Sequence, residues 1–156
     1  MKIRIAKFIS NAGYCSRRDA EKLVFNGKVY INGSPCLHPS QKVSDEDTIK
    51  IENKILKNSK KIELWKMYKP IKYICSTKDK LKRNKIFDLL PKSNLNLISV
   101  GRLDYMSEGL ILFTNSGEYS RFLELPSSNI ERIYRVCVSN IVKNVDIKKI
   151  NKGIKI

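Results

Sequence analysis

Residues 101–115, reading GRLDYMSEGLILFTN, constrain this chain more than any other stretch. A polar loop carrying Asp104 runs directly into the apolar run Leu110-Ile111-Leu112-Phe113-Thr114, and the turn residues Asn115-Ser116-Gly117 follow. A short apolar run bounded by turn signals reads as a buried strand. A loop backed by a buried strand is where a fold can hold a reactive side chain rigidly.

Other segments predict the rest of a sheet. Ile62, Leu64 and Lys66 alternate with Glu63, Trp65 and Met67 until Lys69-Pro70 breaks the run. Residues 73–77 and 97–100 read as further strands. So does 133–138, with Val136 and Val138 on one face and Arg135 and Cys137 on the other. Residues 86–91 form a short apolar helical turn closed by Pro91, and 118–125 a helix ended by Pro126. Residues 146–152 form a last helix with Gly153 as its cap, and Ile154-Lys155-Ile156 a strand just beginning. The mixture predicts an α+β class with a mainly antiparallel sheet.

The first fifty residues follow a different pattern. Ile5, Ala6, Phe8, Ile9 and Ala12 recur at helical spacing, with Gly13 as the stop. Ser16-Arg17-Arg18-Asp19 is a capping box opening a second helix, in which Ser16 accepts from the backbone three residues on and Asp19 reaches back. That helix carries Ala20, Leu23 and Val24 and ends at Gly27. Val29-Tyr30-Ile31 then enters an Asn32-Gly33 hairpin turn, and residues 48–51 return as a strand. Residues 53–61 are polar and lysine-rich and read as a mobile connection, so the expected domains are 1–52 and 62–156.

Charge narrows the partner. The chain carries 31 Lys and Arg against 15 Asp and Glu, a net +16. An excess of that size points to a polyanion, nucleic acid first. A lysine-rich codon usage would spread the excess evenly, yet residues 53–92 alone carry +10 while each flank carries +3. The middle segment is therefore expected to run along phosphates. Cys15, Cys36, Cys75 and Cys137 are far apart and His38 is the single histidine, so no metal site is expected. Unpaired cysteines, together with the lack of a membrane-length apolar run or a signal-peptide core, give a cytoplasmic expectation.

The N-terminal segment resembles the S4 RNA-binding domain. Arg4-Ile5-Ala6-Lys7-Phe8, Cys15-Ser16-Arg17-Arg18-Asp19-Ala20-Glu21 and Gly27-Lys28-Val29-Tyr30-Ile31-Asn32-Gly33 carry the likeness. It implies RNA backbone contacts from a basic helix face, with Arg4, Lys7, Arg17, Arg18 and Lys22 as candidates. Such contacts position a protein more than they select sequence.

From Tyr68 onward the chain resembles the ribosomal RNA pseudouridine synthases of the small-subunit (RsuA) type. Tyr68-Lys69-Pro70, Ile86-Phe87-Asp88-Leu89-Leu90-Pro91, the run at 101–115 and Glu131-Arg132-Ile133-Tyr134-Arg135-Val136 carry this likeness, and Leu123-Glu124-Leu125-Pro126-Ser127 leans toward the large-subunit branch. The resemblance implies that Asp104 is the catalytic carboxylate, held away from bulk water. It implies that Tyr134 stacks on the uracil and that Arg102 and Lys69 anchor the loop or hold phosphate. The reaction is an isomerisation, so no cofactor is expected, and the partner is ribosomal RNA or a ribosome assembly intermediate. Two departures stand out: Lys72 occupies a position where the family usually has glycine, and Arg132-Ile133 replaces a pattern that often carries lysine. The family also has later strands and a basic motif that pairs with the aspartate. The expectation is therefore a catalytic domain incomplete at its C-terminus, with a complementing C-terminal fragment as a candidate partner. The rival expectation is an inactive relic that serves only as an S4-type RNA-binding protein.

Overall fold

The computed structural model describes residues 2–57, 61–91, 96–141 and 143–153. Strand β1 (Ile3–Arg4) leads straight into helix α1 (Ile5–Asn11), whose Ile5, Ala6, Phe8 and Ile9 are buried. Helix α2 (Arg17–Phe25) opens on Ser16, whose hydroxyl accepts from the Asp19 backbone N–H at 3.2 Å. The same hydroxyl donates to the Asp19 carboxylate at 2.7 Å. The Asp19 carboxylate therefore meets the Ser16 hydroxyl, where a capping box would bring it to the Ser16 backbone N–H.

Strands β2 (Val29–Ile31) and β3 (Ser34–Pro35) form a hairpin, with Asn32 and Gly33 both at positive φ, as a two-residue turn matched to strand twist requires. Asn32 also fastens this turn to the next one, donating to Asp47 at 2.7 Å and accepting from the Thr48 N–H at 2.8 Å. Strand β4 (Lys42–Val43) pairs with β1. Strands β5 (Ile49–Ile51) and β6 (Lys54–Leu56) complete an antiparallel sheet of order β3-β2-β5-β6. Ile5, Ile9, Ala20, Val24, Val29, Val43, Ile49 and Ile51 fill the space between the helices and the sheet.

Strand β6 differs from expectation, since residues 54–56 fall inside the expected connection at 53–61. Glu52, at φ +53, and Asn53 make a two-residue turn that contains no glycine, and Leu56 is buried against the core. The turn signal was hidden because Glu is an uncommon residue at positive φ. Residues 58–60 of that stretch lie outside the described residues.

The second half is built on strands β7 (Leu64–Lys69), β8 (Ile98–Val100) and β9 (Gly109–Thr114), antiparallel in the order β7-β9-β8. Strand β9, the apolar run of the sequence, is the central strand. Its register runs from Leu64 opposite Thr114 to Lys69 opposite Gly109. Ile111 and Phe113 point to a core made with Ile86 and Leu97, with Trp65, Met67, Tyr73 and Phe87 packed around it. Phe87 meets Phe113 edge-on at 5.4 Å. Helix α3 (Gly117–Glu124), capped by Ser116, packs on β8 and β9. On the same face of the sheet as Thr114, Leu64, Tyr68 and Leu110 are exposed.

Two expected strands are absent. Residues 73–77 contribute a single bridge, Ile74 to Lys85, with Ile74 exchanging backbone bonds with Asn84 and Ile86. Residues 133–138 make no ladder among the described residues, and Ile133, Tyr134, Val136 and Val138 are exposed. Alternating apolar side chains make a strand only where a neighbour supplies ladder hydrogen bonds. The last helix, α4 (Asn144–Asn151), begins two residues earlier than expected and meets Gly153 at its end. The expected strand at 154–156 lies outside the described residues.

Candidate functional site

The Asp104 loop leaves β8 at Gly101 and enters β9 at Gly109, directly above the end of β7. Gly109 has φ +130, a conformation closed to side-chain-bearing residues, so glycine is required where the loop turns into the strand. Opposite it stands Lys69, completely buried. Its ammonium has three donors and uses them on three backbone carbonyls: Pro70 at 3.1 Å, Asp104 at 2.9 Å and Ser107 at 2.7 Å. A buried lysine is tolerated only when its donors are satisfied in this way. Lys69 thus ties the end of β7 to the loop, and a role in holding RNA phosphate is closed to it.

Further ties bracket Asp104. The Leu103 carbonyl accepts from the Cys75 thiol at 3.4 Å, and the Tyr105 carbonyl from the Lys72 N–H at 2.7 Å. The Ser107 N–H closes a turn onto the Asp104 carbonyl at 3.1 Å. The backbone on both sides of Asp104 is therefore fastened to the segment after β7. Lys72 makes its bond at φ +63, the left-handed region that glycine enters freely. The chain keeps that turn shape with a lysine in it.

The Asp104 side chain itself is exposed, which corrects the expectation that it is held from bulk water. The bonds from Lys69, Cys75 and Lys72 all reach the loop through its backbone carbonyls. Arg102 is likewise exposed. Tyr134 lies in the unpaired 133–138 segment with two-thirds of its surface open, so the described sheet does not seat it beside Asp104. The structure brings Lys69 onto the Asp104 carbonyl, and leaves Tyr134 exposed in a segment without ladder partners among the described residues.

Sequence reading passed over Arg83 and Tyr105. The Arg83 guanidinium lies 5.9 Å from the centroid of the Tyr105 ring. Asp79 holds that guanidinium through both carboxylate oxygens, at 2.8 and 3.1 Å, and accepts the Arg83 backbone N–H at 2.9 Å. Those hydrogen bonds, the side-chain ones foremost, push the Asp79 carboxyl down to about 2. The available signal was the four-residue spacing of Asp79 and Arg83 within a lysine-rich loop. At the other end of the Asp104 loop, a hydrogen bond to Glu108 pushes the Tyr68 phenol up.

The predicted RNA contacts fall into two groups. Arg4, Arg17, Arg18 and Lys22 are exposed, Lys22 standing 3.6 Å from Asp19. Lys7 is engaged internally, paired with Glu118 of α3, and that bond holds the Glu118 carboxyl below its ordinary range. Nearby, Asn96 donates to the Cys15 carbonyl at 3.1 Å, and Lys78 lies 3.9 Å from Asp19. A cleft of about 770 Å³ opens between the two halves, lined among others by Lys7, Arg17, Phe87, Ser99, Glu118 and Arg121. Asp104 is not part of its lining.

Residues 63–156 match the family described as RNA pseudouridylate synthase, and residues 3–49 match the S4 domain. The chain belongs to the RNA pseudouridylate synthase family. Among the relatives of this family member, a Rickettsia conorii protein described as an uncharacterized RNA pseudouridine synthase is 47% identical over 133 residues. That alignment covers 85% of this chain and 57% of the relative. The ribosomal large subunit pseudouridine synthase B of Buchnera aphidicola from Schizaphis graminum is 38% identical, across 100% of this chain and 63% of its own. The protein of the same description from Bacillus subtilis is 31% identical, across 98% and 62%. The family chain thus spans roughly six-tenths of the length of these curated relatives. Its α+β architecture joins an N-terminal S4 domain to the synthase sheet.

Proposed function

We propose that this chain serves the isomerisation of uridine to pseudouridine in ribosomal RNA, with Asp104 as the catalytic carboxylate and large-subunit RNA as the substrate. The observation that carries the reading is the bracing of the Asp104 loop, pinned by the three donors of buried Lys69. A fold spends a buried cation on a loop whose position matters. The relatives named for large-subunit RNA and the S4 match support the substrate class.

The reaction breaks the bond from the sugar to N1 of uracil, turns the base and rejoins it through C5. Atoms are conserved, so neither oxidant nor reductant enters. Asp104 acts on the sugar either as a nucleophile or as the base that takes a proton from it. Both roles need a carboxylate whose backbone cannot drift, and the ties at Leu103, Asp104, Tyr105 and Ser107 supply that. An exposed carboxylate at a loop is reachable by a base swung out of its stack. Arg4, Arg17 and Arg18 hold the RNA backbone.

A second reading, RNA binding without chemistry, is favoured by the openness of Asp104 and by the exposure of Tyr134 in a segment without ladder partners among the described residues. Site-specific mapping of pseudouridine in unmodified ribosomal RNA incubated with this chain separates the two. The expected result is new pseudouridine that Asp104→Asn abolishes while RNA affinity stays within about twofold. Salt-sensitive binding with no product would establish the second reading instead.

A further inference from the structure

We infer that Arg83 is a positioning residue for the Asp104 loop, acting through the ring of Tyr105 and set in place by Asp79. The inference rests on the proposed function for its catalytic consequence and on geometry alone for its structural one.

Three observations carry it. First, Tyr105 directly follows Asp104 and is held on two sides, its carbonyl by the Lys72 N–H at 2.7 Å and its ring by the Arg83 guanidinium at 5.9 Å. Lys69 and Cys75 fasten only backbone carbonyls, so Arg83 is the described contact that grips a side chain beside Asp104. Second, Arg83 is not a loose surface cation. Three bonds that Arg83 donates to the Asp79 carboxylate fix its backbone and its guanidinium plane, and the Asp79 side chain is nearly covered. A guanidinium held by a bidentate carboxylate keeps the orientation that stacking on an aromatic ring needs, which a lysine could not reproduce. Third, two of the neighbouring cations face other carboxylates: Lys78 lies 3.9 Å from Asp19, and Lys85 lies 3.3 Å from Asp88. Among the described side-chain contacts of this basic loop, Arg83 supplies the one to the Asp104 loop.

The chain of contacts runs Asp79 to Arg83 to the Tyr105 ring to the Asp104 backbone. Its removal leaves Lys69 in place, so the loop keeps its path but loses lateral restraint. A carboxylate displaced by a fraction of an ångström reacts more slowly without binding RNA less tightly.

The test uses the full chain with Arg83→Gln, Arg83→Lys, Tyr105→Leu and Tyr105→Phe, plus the double variant Arg83→Gln/Tyr105→Leu. Single-turnover pseudouridine formation at saturating protein is measured beside RNA Kd and hydrogen exchange at the Lys72 amide. Arg83→Gln is expected to slow the single-turnover rate about ten- to a hundredfold with Kd within twofold. Arg83→Lys fails to rescue, Tyr105→Phe keeps the rate, and Tyr105→Leu matches Arg83→Gln. The double variant loses no more than either single, because both act through one contact. Exchange at Lys72 accelerates in Arg83→Gln. A loss confined to Kd would make Arg83 a phosphate contact and overturn the inference, as would multiplying losses in the double variant. If the wild type forms no pseudouridine, the proposed function fails while the Lys72 amide still decides this inference: unchanged exchange in Arg83→Gln overturns it.

Discussion

At the scale of single residues, the site depends on Lys69 more than on any group facing solvent. Replacing it with methionine keeps the stem but leaves the Pro70 and Ser107 carbonyls without this donor and the Asp104 carbonyl with the Ser107 N–H in its place. An unsatisfied buried acceptor costs about 1–3 kcal/mol, and water entering the loop recovers part of the total. Lys69→Met should therefore lower unfolding stability by about 2–4 kcal/mol in a denaturant titration, and pseudouridine formation should fall with it. Lys72 gives the opposite sign. Holding a lysine at φ +63 costs about 1–2 kcal/mol, of which the added unfolded-state freedom of glycine cancels about half to one. Lys72→Gly should raise stability by about 0.5–1 kcal/mol in the same titration. The sequence singled out both positions but not their work. Lys69 meets carbonyls 35 and 38 residues away, a convergence that no local pattern encodes. Arg83 was hidden for the same reason, since its ring partner lies across the loop, whereas the loop and strand at 101–115 were legible because that stretch is contiguous.

At the scale of elements, local signals were read well where hydrogen bonds stay local. Helices α1, α2 and α3, the Asn32-Gly33 hairpin and β9 fall within a residue or two of expectation. The failures share one cause, dependence on a neighbour. The turn into β6 lacks glycine, so the pattern there reads as a connection, and the alternation at 133–138 does not reveal whether a partner lies alongside. Strand β6 offers a direct check. Leu56 is buried in the N-terminal core, while Ile55, facing the other way, is mostly exposed. Leu56→Ala should cost about 2–3 kcal/mol and Ile55→Ala under about 1 kcal/mol, as for a strand with one face buried. Equal and negligible effects would return residues 54–56 to a connecting role.

At the scale of the whole molecule, the two halves meet through charge. Lys7 of α1 pairs with Glu118 of α3, and Lys78 reaches toward Asp19 of α2. Both carboxyls sit below their ordinary range, Glu118 through its hydrogen bond from Lys7 and Asp19 first through Ser16 and then through Lys78. A carboxyl depressed on folding stabilises the folded arrangement above its unfolded value, here 4.5 for Glu118 and 3.8 for Asp19, and that contribution is lost as pH falls through the lower folded value. The contact between halves should accordingly hold at neutral pH and weaken as the solution is taken below about 4. Small-angle scattering should then show an increase in radius of gyration before far-ultraviolet circular dichroism records unfolding. Glu118→Gln should bring that loosening to neutral pH in part, because Lys7 loses its charged partner. The same variant frees the Lys7 ammonium beside the cleft, so RNA affinity should rise and its salt dependence should steepen by about one phosphate contact. A variant that loosens without any gain in RNA affinity would show that Lys7 serves only to join the halves, and its place among the RNA contacts would be withdrawn.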